Sequence, residues 1–270
     1  MTAKNKRRLF RWTRNILLVY GLMGIGIYYF QDFIFFRNVP LSRQHKYDFE
    51  QDFREVNLPY DAQSNINIIQ FSVIGPAKGC VIYFHGNRRN ISWYARFAPM
   101  FTQRGYEVWM IDYPGYGKST GRLQEDVLHA YATQLYKLAR KRFEPQQLVL
   151  YGKSMGTGIA ARLAADEEAR VLILETPYYS FESLAAFYFP IYPVKRMIRN
   201  RLPTFEFLPK VEEPVIMFHG TSDWIIPYRN ARKLEPLLKL GDQFITIPGG
   251  GHNDLEMYAQ FRDELNRLLP

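Results

Sequence analysis

Residues 148–158 read Leu-Val-Leu-Tyr-Gly-Lys-Ser-Met-Gly-Thr-Gly, and the fold turns on how they are read. An apolar, β-prone run (148–151) ends abruptly at Gly152-Lys153-Ser154-Met155-Gly156. A small-residue helical run follows, with Ile159, Ala160, Ala161, Leu163, Ala164 and Ala165. A strand that turns directly into a helix leaves the turn residue strained, its side chain projecting above the sheet. Glycines two before and two after the serine are needed because the two backbones pass too close for a Cβ. Ser154 is therefore the candidate nucleophile of a G-x-S-x-G elbow.

A second match, Gly117-Lys118-Ser119-Thr120-Gly121, follows the loop Asp112-Tyr113-Pro114-Gly115-Tyr116, so no strand feeds into it. Ser119 reads as a decoy. Both serines follow Gly-Lys, yet a phosphate loop needs a glycine five residues before the one preceding the lysine. Gln147 and Asp112 stand there instead. A Ser-Lys dyad of the S-x-x-K type fails because position 157 is Thr.

Outward from the elbow, strands are predicted at 67–74, 79–84, 106–112, 171–175, 214–219 and 243–247. Helices are predicted at 92–104, 123–142, 229–238 and 255–269. Strands alternating with helices, several of them continuously apolar, imply an α/β fold with a mostly parallel central sheet covered on both faces. Residues 176–210 break the alternation. They carry Tyr178, Tyr179, Phe181, Phe187, Tyr188, Phe189 and Tyr192, then Lys195, Arg196, Arg199 and Arg201, with prolines 190, 193 and 203 interrupting any long helix. Lying on the side where the elbow points, this insertion is predicted to be a small lid.

The 270 residues are enough for one large domain, and the 16% aromatic content argues against disorder. The formal charge of +9 belongs to the N-terminus rather than to a nucleic-acid surface. Lys4, Lys6, Arg7, Arg8, Arg11 and Arg14 supply most of it, leaving about +3 for the remainder. Nucleic acid is not an expected partner. The single cysteine, Cys80, sits in an apolar run and excludes an internal disulfide. Histidines 45, 85, 129, 219 and 252 show no H-E-x-x-H spacing, so neither metal nor cofactor is expected.

Residues 16–30 carry no charge and, extended to Trp12, cover roughly 28 Å as a helix, close to a bilayer core. Trp12 and the Tyr28-Tyr29 pair fall where aromatic belts sit. A cleaved signal peptide shares the basic start and apolar core, but the exit, Tyr28-Tyr29-Phe30-Gln31-Asp32-Phe33, offers no pair of small residues as a cleavage site. We expect a membrane anchor in 1–36, a tether carrying a first edge strand in 37–60, and the main domain in 61–270. The positive-inside bias places the N-terminus in the cytoplasm and the main domain on the other side.

A serine hydroxyl needs a base, an orienter for that base and donors for the oxyanion. Asp223, in His219-Gly220-Thr221-Ser222-Asp223, follows one apolar strand. His252, in Gly249-Gly250-Gly251-His252-Asn253-Asp254, follows the last. His85 and His219 are read as holding loop backbones, Asp254 as a helix cap, Asp112 as stabilising its own loop and Asp242 as a turn residue. The turn His85-Gly86-Asn87, the loop 112–119, the elbow and the two loops above together resemble the α/β-hydrolase superfamily. Within it the chain is similar to membrane-anchored α/β-hydrolase-domain proteins of the protein depalmitoylase and lysophospholipase-like subgroup, over about residues 60–270. The resemblance implies Ser154 as nucleophile, His252 as base, Asp223 as acid, and the backbone N–H groups of Met155 and Asn87 as oxyanion hole. It implies hydrolysis of esters or thioesters, with acyl or lipid-like substrates. A peptidase or amidase on the same fold, and an inactive membrane-tethered binding module, are the alternatives.

Overall fold

The computed structural model describes residues 2–270. Eight strands form the central sheet: β1 (Phe53–Pro59), β2 (Asn65–Phe71), β3 (Gly79–Phe84), β4 (Tyr106–Ile111), β5 (Leu148–Lys153), β6 (Val171–Glu175), β7 (Val215–Gly220) and β8 (Gln243–Ile247). Their spatial order is β1-β2-β4-β3-β5-β6-β7-β8. β2 runs antiparallel to β1 and to β4, and every other pairing is parallel.

The central strands are buried at every residue and mostly apolar because both sheet faces are covered, and the period of two sorts them. In β5, Leu148 and Leu150 enter one core while Val149 and Tyr151 enter the other. In β3, Cys80, Ile82 and Phe84 face the first, and Val81 and Tyr83 the second. The helix α2 (Glu125–Ala139) buries Leu128, Tyr131, Ala132, Leu135, Tyr136 and Ala139, a helical stripe, against the first core. The helix α3 (Gly156–Asp166), leaving the elbow, is buried along most of its length, which only its small residues permit. The helix α4 (Phe181–Tyr188) opens the lid, capped by Ser180, and α5 (Ala259–Leu268) closes the chain on the second core.

The sequence-based expectations differ from the fold in four places. The helix expected over 92–104 is two single turns, Ile91–Tyr94 and Pro99–Thr102, because Pro99 has no N–H to continue a ladder. The segment 229–238 is one α-turn followed by a tighter 3-10 run containing Pro236. The last helix starts only at Ala259, since Tyr258 is extended. Residues 37–60 carry the expected edge strand, but the stretch before it is not a free tether. Phe53–Pro59 is a sheet strand, Arg37–Asn38 pairs with Arg88–Arg89, and the aromatic ladder Tyr47, Phe49, Phe53, Phe71 packs the stretch between.

Before all of this stands the helix α1 (Ala3–Phe35), long and apolar enough by length and composition to cross a membrane. Only Ile27 and Gln31 within it are buried, so it is not a core helix.

Glu213, two residues before β7, has a buried Oε1 without a hydrogen-bond partner, and burial pushes its carboxyl up to about 7. A carboxyl raised above its ordinary 4.5 on folding binds a proton in the native state, so stability falls as pH rises through that interval. Glu213→Gln is expected to leave stability unchanged near pH 5 and to raise it by roughly 1 kcal/mol at about pH 8. That is less than the full shift, because water reaches part of the carboxyl. A urea midpoint at the higher pH equal to that of the parent chain would contradict it.

Candidate active site

Ser154 occupies the turn between β5 and α3 with φ at +53°, a left-handed conformation that costs on the order of 1–3 kcal/mol in a residue with a side chain. The surroundings hold it there. Its N–H donates to the Glu175 carbonyl (2.9 Å), and its carbonyl accepts from the Thr157 N–H (2.9 Å) and hydroxyl (2.6 Å). The flanking glycines are required by contact: a Cβ on Gly152 would stand 2.5 Å from the Gly156 carbonyl oxygen, and one on Gly156 would stand 2.0 Å from that of Phe84. The second Gly-Lys-Ser has none of this. Ser119 Oγ accepts from the Asn67 N–H (2.8 Å) and serves the loop it sits in.

The loops after β7 and β8 converge on Ser154. His252 Nε2 lies 3.0 Å from Ser154 Oγ, and His252 Nδ1 lies 2.7 Å from Asp223 Oδ2. Asp223 Oδ1 accepts from the N–H groups of Ile225 and Ile226, both at 2.8 Å, which fixes the carboxylate. Burial alone would raise the Asp223 carboxyl. The His252 hydrogen bond and charge, with the Ile226 N–H and His219, outweigh it and hold the group below the ordinary carboxylate value. Residues 98 and 29 positions apart thus form one continuous donor–acceptor chain.

Met155 and Asn87 flank the serine, and among the described residues no acceptor faces the backbone N–H of either. The Asn87 peptide is pinned from its other side. Its carbonyl accepts from the Arg37 N–H (2.9 Å) and the Tyr116 hydroxyl (2.8 Å), and its side chain donates to the Phe35 carbonyl (2.9 Å). His85 Nδ1–H donates to the Gly86 carbonyl (2.7 Å), and its ring packs on Tyr113 and Tyr94, so this histidine does hold its loop. His219 likewise donates to the Gly220 carbonyl (3.0 Å), with Nε2 3.7 Å from Asp223, and burial holds its pKa below the ordinary imidazole value.

Two acidic residues act otherwise than their sequence positions suggested. Asp254 does not cap a helix; its carboxylate accepts from the Gly251 N–H (2.7 Å) and braces the histidine loop. Asp112 accepts from the Ile91 N–H (3.0 Å), tying a neighbouring turn to its own loop. Asp242 closes its turn through the Lys239 N–H, as expected, and also accepts from the Val215 N–H at the start of β7.

Sequence reasoning missed a buried ion pair beneath the serine. Lys153 Nζ donates to Glu175, and the Tyr151 hydroxyl donates to the other oxygen of that carboxylate (2.5 Å). The signal was a lysine inside an apolar strand, but only the β5–β6 register places Glu175 beside it. Above Ser154 lies a cavity of about 710 Å³. Its walls include Phe35, Trp93, Phe181, Leu184, Tyr188 and Ile226, and Arg37, Arg88 and Arg89 form a basic rim. Among the described residues, no three His, Cys, Asp or Glu side chains group as metal ligands.

Comparison with known proteins gives the following likenesses. A family profile described as serine aminopeptidase S33 matches residues 75–207. The protein named "Uncharacterized protein Rv2307c" of Mycobacterium tuberculosis is 30% identical over 185 residues, 68% of this chain, and the chain spans 65% of that relative's length. "Alpha/beta hydrolase domain-containing protein 17B" of Xenopus laevis is 29% identical over 196 residues, covering 72% of this chain and 67% of that one. Among solved structures, an esterase of Pyrococcus furiosus aligns with a TM-score of 0.67 at 12% identity, over 87% of this chain and 97% of that one. A monoacylglycerol lipase of Paleococcus ferrophilus aligns at 0.58 and 18% identity, over 76% and 98%. At these identities the structural likeness concerns the fold.

Proposed function

The chain belongs to the α/β-hydrolase superfamily, and from that premise we propose that it is a membrane-anchored serine hydrolase acting on acyl esters or thioesters. The observation carrying this reading is the unbroken contact chain from Asp223 through His252 to Ser154 at the floor of a largely apolar cavity. In the proposed cycle, Ser154 Oγ attacks the substrate carbonyl as His252 Nε2 takes its proton, while Asp223 steadies the imidazolium. The N–H groups of Met155 and Asn87 receive the oxyanion; residue 155 stands where a helix begins, with free N–H groups and a dipole that favours negative charge. The leaving group takes the proton from His252, and water then repeats the sequence on the acyl-enzyme.

The experiment that tests this is labelling of the full chain with a fluorophosphonate probe and mapping of the adduct. Modification at Ser154 is expected; a chain that stays unlabelled, or carries the adduct elsewhere, rules the reading out. Asp223→Asn is expected to lower kcat on the order of 10⁴-fold with the fold intact, because the amide can hold the imidazole in the wrong tautomer. Steady-state turnover of an activated ester checks it, and a loss below about tenfold would separate Asp223 from the chemistry.

An acyl or lipid-like substrate is supported by the aromatic and aliphatic walls of the cavity and by the end of α1 forming one of them. The orientation with a cytoplasmic N-terminus rests on the six basic residues before the apolar stretch. Protease protection of the C-terminal domain in sealed vesicles tests it, and a domain digested from the cytosolic side would reverse it. The family profile's description favours a second reading, cleavage of peptide amides by the same three residues. Turnover of N-terminal peptide amides above that of acyl esters would select it.

A further inference from the structure

Residues 185–194 read Ala-Ala-Phe-Tyr-Phe-Pro-Ile-Tyr-Pro-Val, without a charge, and form the end of α4 and the loop after it. This loop is fastened to the middle of α1. The Tyr20 hydroxyl donates to the Ile191 carbonyl (3.0 Å), and the Tyr192 hydroxyl donates to the Tyr20 carbonyl (3.0 Å). Their rings stack at 4.6 Å and 3° from parallel, and Tyr192 approaches so closely that a Cβ on Gly24 would stand 3.1 Å from its ring. Nearer the end of α1 the contacts turn polar. Gln31 donates to the Met197 carbonyl (2.9 Å) and accepts from the Arg199 N–H (2.7 Å), while Arg199 pairs with Asp32 (2.8 Å). Apolar lid meets apolar helix, and polar lid meets polar helix.

Position along α1 then decides the surroundings of the lid. Arg14 is the last charge before the apolar stretch and Asp32 the first after it, about 27 Å apart at 1.5 Å per residue and close to the ~30 Å core of a bilayer. Tyr20 lies about 9 Å from the first boundary and about 18 Å from the second. A bilayer crossed by α1 therefore also contains Ile191 and Tyr192.

Irregular backbone survives in hydrocarbon only where its polar groups are satisfied. Here Pro190 and Pro193 have no N–H. The N–H groups of Phe189, Tyr192 and Val194 bond to the carbonyls of Ala185, Phe189 and Tyr192, and Tyr20 takes the Ile191 carbonyl, which leaves the Ile191 N–H as the one amide of 189–194 without a protein partner among the described residues. The side chain of Ile191 points outward, 69% exposed, with Phe187 and Tyr188 also exposed. Lys195 and Arg196 follow, both exposed, with stems long enough to carry their charges toward the headgroups.

We propose, resting on the reading of α1 as a membrane span, that residues 187–193 are a second membrane-embedded element lying beside it. Tyr188 and Phe189 of this segment, with Leu184 and Ala185 just before it, also wall the cavity above Ser154, together with Ile34 and Phe35 of α1. A lipid-borne acyl chain then reaches the serine along the lid without crossing bulk water.

The test uses the full chain in phosphatidylcholine vesicles. The only native thiol, Cys80, is fully buried, so Ile191→Cys, Leu22→Cys and Leu240→Cys each offer one site for an environment-sensitive fluorophore. Brominated acyl chains are expected to quench the labels at 22 and 191, and aqueous iodide only the label at the exposed loop position 240. Lipid quenching at 22 with iodide quenching at 191 would overturn the lid proposal and leave the anchor standing. Loss of lipid quenching at both positions would remove the anchor and the proposal together. Ile191→Lys, outside the cavity lining, is expected to lose about tenfold in turnover of a vesicle-borne acyl ester while keeping activity on a short soluble ester. Unchanged vesicle turnover would overturn the route along the lid.

Discussion

Replacing Ser154 with alanine is expected to lower turnover of an activated ester by about 10⁶-fold, to the level left by the cavity and the oxyanion donors. The size of the loss follows from the contacts. Ser154 Oγ is the acceptor or donor at the end of the His252–Asp223 chain, so removing it leaves a base with no nucleophile to activate. Alanine also suits the site sterically, and the +53° backbone is held by the Glu175 carbonyl and by Thr157 rather than by the hydroxyl. The variant should therefore fold, and its inactivity should be chemical. Ser119→Ala is the internal control: it removes one hydrogen bond to Asn67 and should change turnover by no more than a few fold. Equal losses in the two variants, or a Ser154→Ala chain retaining most of its activity, would refute the assignment of the elbow.

The largest expected loss of stability comes from the layer under that serine. Lys153 and Glu175 are both almost fully buried and paired with each other, and Tyr151 donates to the same carboxylate. Removing one charge strands the other in a low-dielectric interior, so Glu175→Ala is expected to destabilise the chain by about 3–5 kcal/mol. Removing both charges should restore most of that. In Lys153→Met with Glu175→Gln, no charge is stranded and the glutamine oxygen still accepts from Tyr151. Urea midpoints of the detergent-solubilised full chain give the comparison. A Glu175→Ala loss below about 1 kcal/mol would mean that water reaches Lys153 and that the pair is not a buried one. A double variant no better than the single would show that the geometry of the pair, rather than charge balance, supports the elbow.

Much of this arrangement was legible in the chain. The alternation of apolar runs with helical stripes placed strands near their observed positions, because burial on both sheet faces leaves a continuous hydrophobic signature at β3, β5, β6 and β7. The elbow was readable because two backbones in contact exclude a Cβ at Gly152 and Gly156, a constraint written in residue type. What failed locally failed at prolines and turns. Pro99 and Pro236 broke helices whose hydrophobic spacing looked continuous. The edge strand within 37–60 was expected and is present, but the stretch before it proved to be packed, because its pairing with Arg88–Arg89 is a long-range event that a polar composition does not reveal.

By itself the sequence determined the fold class, the order of the strands along the chain, the strained serine turn and the apolar stretch at the start. It could do so because each is encoded in neighbouring residues: a period, a missing side chain, a run without charge. Only the tertiary structure decided that His252 and Asp223 reach Ser154, that Lys153 has Glu175 for a partner, and that the lid lies against the middle of α1. Those contacts depend on the register of parallel strands and on loops brought together by packing. Both are set by the cooperative burial of the whole core, and no short window of sequence carries them.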